Sequence, residues 1–124
     1  VSVWSNATFA VEAYVIYSSN ITGEFGMQFG VPAGATGSWS GAGWGRAVPA
    51  SVGTDGWSVR MNENSITQNR TYGGDTTDDT VHAKGIVITT GTAGTFSLDW
   101  AQAIVDAGAT TVRTNSYIKL TRVA

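Results

Sequence analysis

The chain has 124 residues, the size of a single domain, and a chain of that length removes roughly two-thirds of its unfolded surface from water. Only 13% of residues are charged, against about 25% in an average globular domain, and 7 Lys and Arg oppose 9 Asp and Glu for a net charge of -2. No basic run exists to grip a phosphate backbone, so no nucleic-acid partner is expected, and the absence of cysteine excludes a disulfide framework and thiolate metal sites.

No apolar stretch approaches the roughly 20 residues of a membrane helix, and no basic, apolar and small-residue series opens the chain as a signal peptide would. A soluble domain with no membrane partner is the expectation. Val1 stands first, as in a processed chain or a piece of a longer one.

In chain order, TFAVEAYVIYSS sets Phe9, Val11, Ala13, Val15 and Tyr17 on one face of a strand and Ala10, Glu12, Tyr14 and Ile16 on the other. GEFGMQFGV alternates more cleanly, with Phe25, Met27, Phe29 and Val31 on the core side. VPAGATGSW signals a turn and leads into a glycine-rich stretch with Trp39 and Trp44; TDGWSVRM turns through Asp55-Gly56 into a short strand. A polar stretch, 62–80, precedes TVHAKGIVITT, where β-branched residues dominate. The loop 91–94 leads to a strand over 95–100, on which Phe96, Leu98 and Trp100 share a face. AQAIVDAGA has good helix formers and a well-placed glycine, yet is too short for a self-supporting helix and reads as a strand end plus a loop. SYIKLTRV alternates again, Ile118 and Leu120 against Tyr117, Lys119, Thr121 and Val123. Because an edge invites unwanted pairing, this last strand is expected between two neighbours. Closely spaced strands, turn residues and no long amphipathic helix define one all-β domain over 1–124, an antiparallel sandwich or barrel.

Tyr14, Val15, Ile16 and Tyr17 put large apolar groups on both faces of one strand, and a sandwich core covers only one of them. The other needs a partner subunit or a loop of the same chain. Tyr14 and Ile16, with Tyr117 and Lys119 on the last strand, are the candidate oligomer contacts.

FAVEAYVIYSS, FGVPAGATGSW, GTFSLDWAQ and TTVRTNSYIKLTRV together resemble a domain of tailed-bacteriophage virion proteins, of head-decoration or head-fibre type. The closing pattern is also similar to the end of tumour-necrosis-factor-like and complement-globular-head-like jelly rolls. The resemblance covers most of the chain, although relatives usually carry another strand ahead of TFAVEAY, where this chain has only VSVWSNA. It implies a tumour-necrosis-factor-like jelly-roll β-sandwich, a homotrimer and capsid or other virion proteins as partners. The implied location is the virion surface, on the phage head, with assembly in the host cytoplasm. The second reading is a tail-associated receptor-binding domain that recognises a host-surface glycan.

The resemblance carries no catalytic signature, and neither do the residues; no enzyme activity and no cofactor are expected. His82 is the only histidine, with no Gly-x-Ser-x-Gly elbow and no cysteine to serve, and it shares a strand face with Lys84, which suggests an exposed or interfacial edge. At a trimer axis it would make assembly pH-sensitive. Glu12, Glu24 and Glu63 lie on different elements, so no carboxylate pair is evident. Asp75, Asp78 and Asp79 on a glycine-rich loop could hold calcium, but the spacing is not that of an EF-hand, and a solvated loop whose side chains satisfy turn backbone is preferred. Trp39, Trp44 and Trp57, near glycine-rich turns, are the candidate glycan contacts, weighed against packing inside; Trp4 and Trp100 read as core or interface. Sequons at Asn6, Asn20 and Asn69 are expected by chance in a chain this rich in threonine and serine.

Overall fold

A computed structural model of the chain describes residues 1–45, 59–60 and 62–124, with 59–60 described as backbone. The described strands are β1 (Ser2–Val3), β2 (Thr8–Ser18), β3 (Phe25–Gly30), β4 (Thr36–Trp44), β5 (Val59–Arg60), β6 (Asn64–Ser65), β7 (Arg70–Tyr72), β8 (Asp78–Ile88), β9 (Gly94–Thr95), β10 (Ser97–Gln102), β11 (Thr111–Val112) and β12 (Tyr117–Arg122). Every pairing is antiparallel. The larger sheet has seven strands in the order β11-β2-β8-β4-β5, with β12 also on β2 and β6 also on β4. A smaller sheet runs β10-β3-β7, and β1 pairs with β9. The protein is therefore all-β, with its antiparallel sheets in a sandwich-like arrangement.

The frame is the pairing of β2 with β8 over the whole of both strands, Thr8 opposite Ile88 through Ser18 opposite Asp78. Period-two alternation sends Phe9, Val11, Ala13, Val15 and Tyr17 inward from β2, and Val81, Ala83 and Val87 inward from β8. Facing them are Phe25, Met27 and Phe29 of β3 with Tyr72 and Phe96. Rings close the gap between the sheets: Tyr17 stacks on Phe25 at 4.3 Å, and Phe29 takes Trp39 edge-on at 5.2 Å.

Two elements differ from the sequence reading. The glycine-rich stretch is not a loop; it is β4, an interior strand hydrogen-bonded to β8 from Thr36–Ile88 to Ala42–His82. Its glycines mark close approach rather than turning. A Cβ on Gly43 would meet Tyr72 Cδ1 at 2.8 Å, and one on Gly85 of β8 would meet Trp39 Cβ at 2.9 Å. The last strand, expected between two neighbours, pairs with β2 alone among the described residues and forms an edge. Lys119, exposed at that edge, is the kind of charge that blunts further pairing. The chain end is pinned to the same strand, Thr8 N donating to Ala124 O at 2.9 Å and Val123 N to Thr8 O at 2.8 Å.

The reading of AQAIVDAGA agrees, while the polar stretch 62–80 carries strands that were not expected. AQAIVDAGA is the end of β10 followed by a bend and loop, without helix. The polar stretch 62–80 holds β6, β7 and the start of β8. The Asp55-Gly56 turn lies outside the described residues.

Candidate functional site

The outer face of the larger sheet gathers the candidate contact residues, and strand register puts them in rows. Tyr117, Tyr14, His82 and Ala42 lie side by side across β12, β2, β8 and β4; the next row is Lys119, Glu12, Lys84 and Ser40; the third is Thr121, Ala10, Ile86 and Ser38. Tyr14 stacks beside Tyr117 at 6.1 Å and meets the His82 ring edge-on at 4.7 Å. The row is thus a continuous aromatic strip, with Tyr117 48% exposed. Ile16 is half-buried on the same face, opposite Thr80. Its amide donates to Ser116 Oγ at 2.9 Å, where the edge breaks between β11 and β12.

One carboxylate stands among two ammonium groups in the charged row of this face. Glu12 stands between Lys119 and Lys84 in register, the favourable cross-strand arrangement. Glu12 also accepts a hydrogen bond from the Tyr117 hydroxyl at 2.9 Å, which raises the Tyr117 phenol above its ordinary pKa because the neutral phenol is the donor. His82 and Lys84 share an exposed face as expected, but on β8, an interior strand and not an edge.

The acidic trio does not converge. Asp78 and Asp79 are neighbours on β8, so they point to opposite sides of the sheet. Asp78 faces out and pairs with Arg113 at 2.8 Å, whereas Asp79 is buried. Asp75 closes a turn on Thr77, accepting from its amide at 2.9 Å and its hydroxyl at 2.6 Å, and these bonds hold the Asp75 carboxyl below its usual range. Among the described residues, no three His, Cys, Asp or Glu side chains are placed to hold a metal ion. The carboxylates Glu12, Glu24 and Glu63 also stand apart in kind: on the outer face of β2, buried before β3, and exposed before β6.

The tryptophans redistribute as well. Trp39, expected near a loop and weighed as a glycan contact, is 1% exposed in the core and presents no ring face to a sugar. Trp44 is half-buried at the end of β4, its carbonyl accepting from Gly73 N at 3.2 Å. Trp57 lies outside the described residues. Trp4 and Trp100, read as core or interface, are not core: they are 62% and 44% exposed. Trp4 lies under the Arg122 guanidinium at 5.2 Å, a cation–π contact. Trp100 is opposite Met27, but among the described residues β10 pairs with β3 alone, and the Trp100 ring stays exposed at that edge.

Of the sequons, Asn6 and Asn69 are exposed, while Asn20 uses its side-chain nitrogen on Asp106 Oδ1 at 2.7 Å. That bond belongs to a clasp the sequence reading missed: Asp106 also accepts from Thr22 Oγ1 and from Gly108 N at 2.7 Å, tying the β10–β11 loop to the β2–β3 loop. Thr22, Gly108 and Asn20 together hold the Asp106 carboxyl below its usual range. Only the Asp-x-Gly turn pattern hinted at it.

Comparison with protein-family models, with curated proteins and with solved structures gives no match to this chain.

Proposed function

We propose that this chain is a non-enzymatic structural module that assembles as a homotrimer through the outer face of its larger sheet, as a head-decoration or head-fibre domain on a phage capsid. The observation that carries the assembly is the aromatic strip of Tyr117, Tyr14 and His82 with Ile16 beside it, on a face that no element of the described chain covers. Glu12 stands between Lys119 and Lys84 on this face, so each copy offers both signs of charge to a like subunit. The virion setting and a jelly-roll topology of tumour-necrosis-factor type are supported by the resemblance of the sequence segments. The tail-adhesion alternative is weakened by the burial of Trp39.

The test is the mass of the purified chain in solution, wild type against Tyr14→Glu. A trimeric wild type and a monomeric, fully folded variant are expected. A monomeric wild type, or an unaltered Tyr14→Glu trimer, overturns this placement of the interface. A cryo-electron-microscopy map of the source particle tests the setting: trimeric knobs on the head shell are expected, and density confined to the tail tip or absent from the particle refutes it.

A further inference from the structure

At one end of the sandwich the register sets Asp79 of β8 opposite Tyr17 of β2, with both side chains inside. Asp79 is 5% exposed. Its carboxylate accepts the Asp75 amide, but Oδ2 is buried with no hydrogen-bond partner among the described residues. The groups around this pair are acids and phenols: Asp75 in the turn, Asp78 on the same strand, Tyr72 of β7 and the buried Glu24 before β3. Arg113 is engaged by Asp78 on the exposed side. An ionised carboxylate in such a place is poorly compensated, and neutralising it is the cheapest relief.

Besides the Asp75 amide on Asp79 itself, the segment over this carboxyl is held by bonds to the ends of β2 and β4. The Tyr17 hydroxyl donates to Gly73 O, Gly73 N to Trp44 O at 3.2 Å, and Thr76 N to Ser19 O at 3.0 Å. Thr76 sits at φ 77°, a left-handed conformation that a β-branched residue adopts only under constraint. Opening residues 73–77 would release that strain and admit water to Asp79.

We propose that the 73–77 turn is an acid-locked clasp: protonated Asp79 keeps it closed on the ends of β2 and β4, and ionised Asp79 drives its opening. The direction follows from linkage. Burial, then the charges of Asp75 and Asp78, push the Asp79 carboxyl from 3.8 up to about 6 in the closed state. The closed state thus binds the proton more tightly. Its advantage is complete below about pH 4, declines as pH rises through about 4 to 6, and is level above that. The separation between 3.8 and about 6 allows at most about a hundredfold change in the opening equilibrium.

The test is amide hydrogen exchange at Gly73 and Thr76, corrected for intrinsic rates, at about pH 4 and pH 7, with β3 amides as the internal reference. Protection of the turn is expected to fall by tenfold or more, on the order that linkage allows, while β3 holds. In Asp79→Asn, the low-pH protection should persist at pH 7. A carbon-13 titration of the wild-type Asp79 carboxyl needs no variant, so it decides the question even if Asp79→Asn does not fold; a midpoint near 6 is expected. Turn protection that is flat with pH, a midpoint near 3.8, or an undiminished pH response in Asp79→Asn overturns the proposal.

Discussion

Trp39→Ala separates a core ring from a surface ring. Trp39 is 1% exposed, edge-on to Phe29 at 5.2 Å. It lies where Gly85 opposes it on β8, and a glycine has no side chain that can swing into the void. Truncation of buried Phe or Trp to Ala costs about 3–5 kcal/mol, more where the surroundings cannot collapse, so the upper half of that range is expected. Against a total stability of about 5–15 kcal/mol, such a loss is a large share. At about 4 °C per kcal/mol for a domain of this size, the melting temperature should drop by roughly 15–20 °C. Urea unfolding followed by far-ultraviolet circular dichroism would read the loss as a lower midpoint at unchanged slope. A loss under about 1 kcal/mol is what a solvent-facing ring would give, and it would refute the burial of Trp39 and restore it as a ligand contact.

Tyr17→Phe removes the buried hydroxyl that donates to Gly73 O and strands that carbonyl; a destabilisation of about 1–3 kcal/mol is expected by the same urea assay, and a neutral result would mean the bond contributes nothing. Asp106→Ala should raise protease cleavage within the β10–β11 loop by severing its bonds to Asn20, Thr22 and Gly108; unchanged cleavage would exclude the clasp. Because that carboxyl is held below its usual range, the clasp is intact above about pH 4 and is lost as pH falls through the lowered value. The difference in cleavage between wild type and Asp106→Ala should therefore narrow only in strong acid.

Much of the fold was legible where alternation is strong. In β2, Phe9 through Tyr17 carry an apolar residue at each inward position, and all of them are buried. In β3, Phe25, Met27 and Phe29 do the same. β4 was not legible, because Gly37, Gly41 and Gly43 erase the apolar side of the pattern and imitate a turn. At Gly41 and Gly43 the Tyr72 ring fills the space from across the sandwich, whereas a Cβ on Gly37 would meet the Ile86 carbonyl oxygen of β8. For the acidic trio the preferred reading, side chains satisfying turn backbone, describes Asp75 on Thr77, but Asp78 and Asp79 were not legible as strand residues, and alternation parts them once β8 begins at Asp78.

The sequence by itself determined the all-β class, the single core and which side of β2 and β3 faces inward, since these follow from the local period of two in side-chain direction. Only the tertiary structure decided that β12 is an edge, that Tyr117, Tyr14 and His82 meet in one row, and that Asp79 is sealed inside while Trp100 is not. Those outcomes depend on which strands become neighbours and in what register, and pairing is set by contacts between segments far apart in the chain.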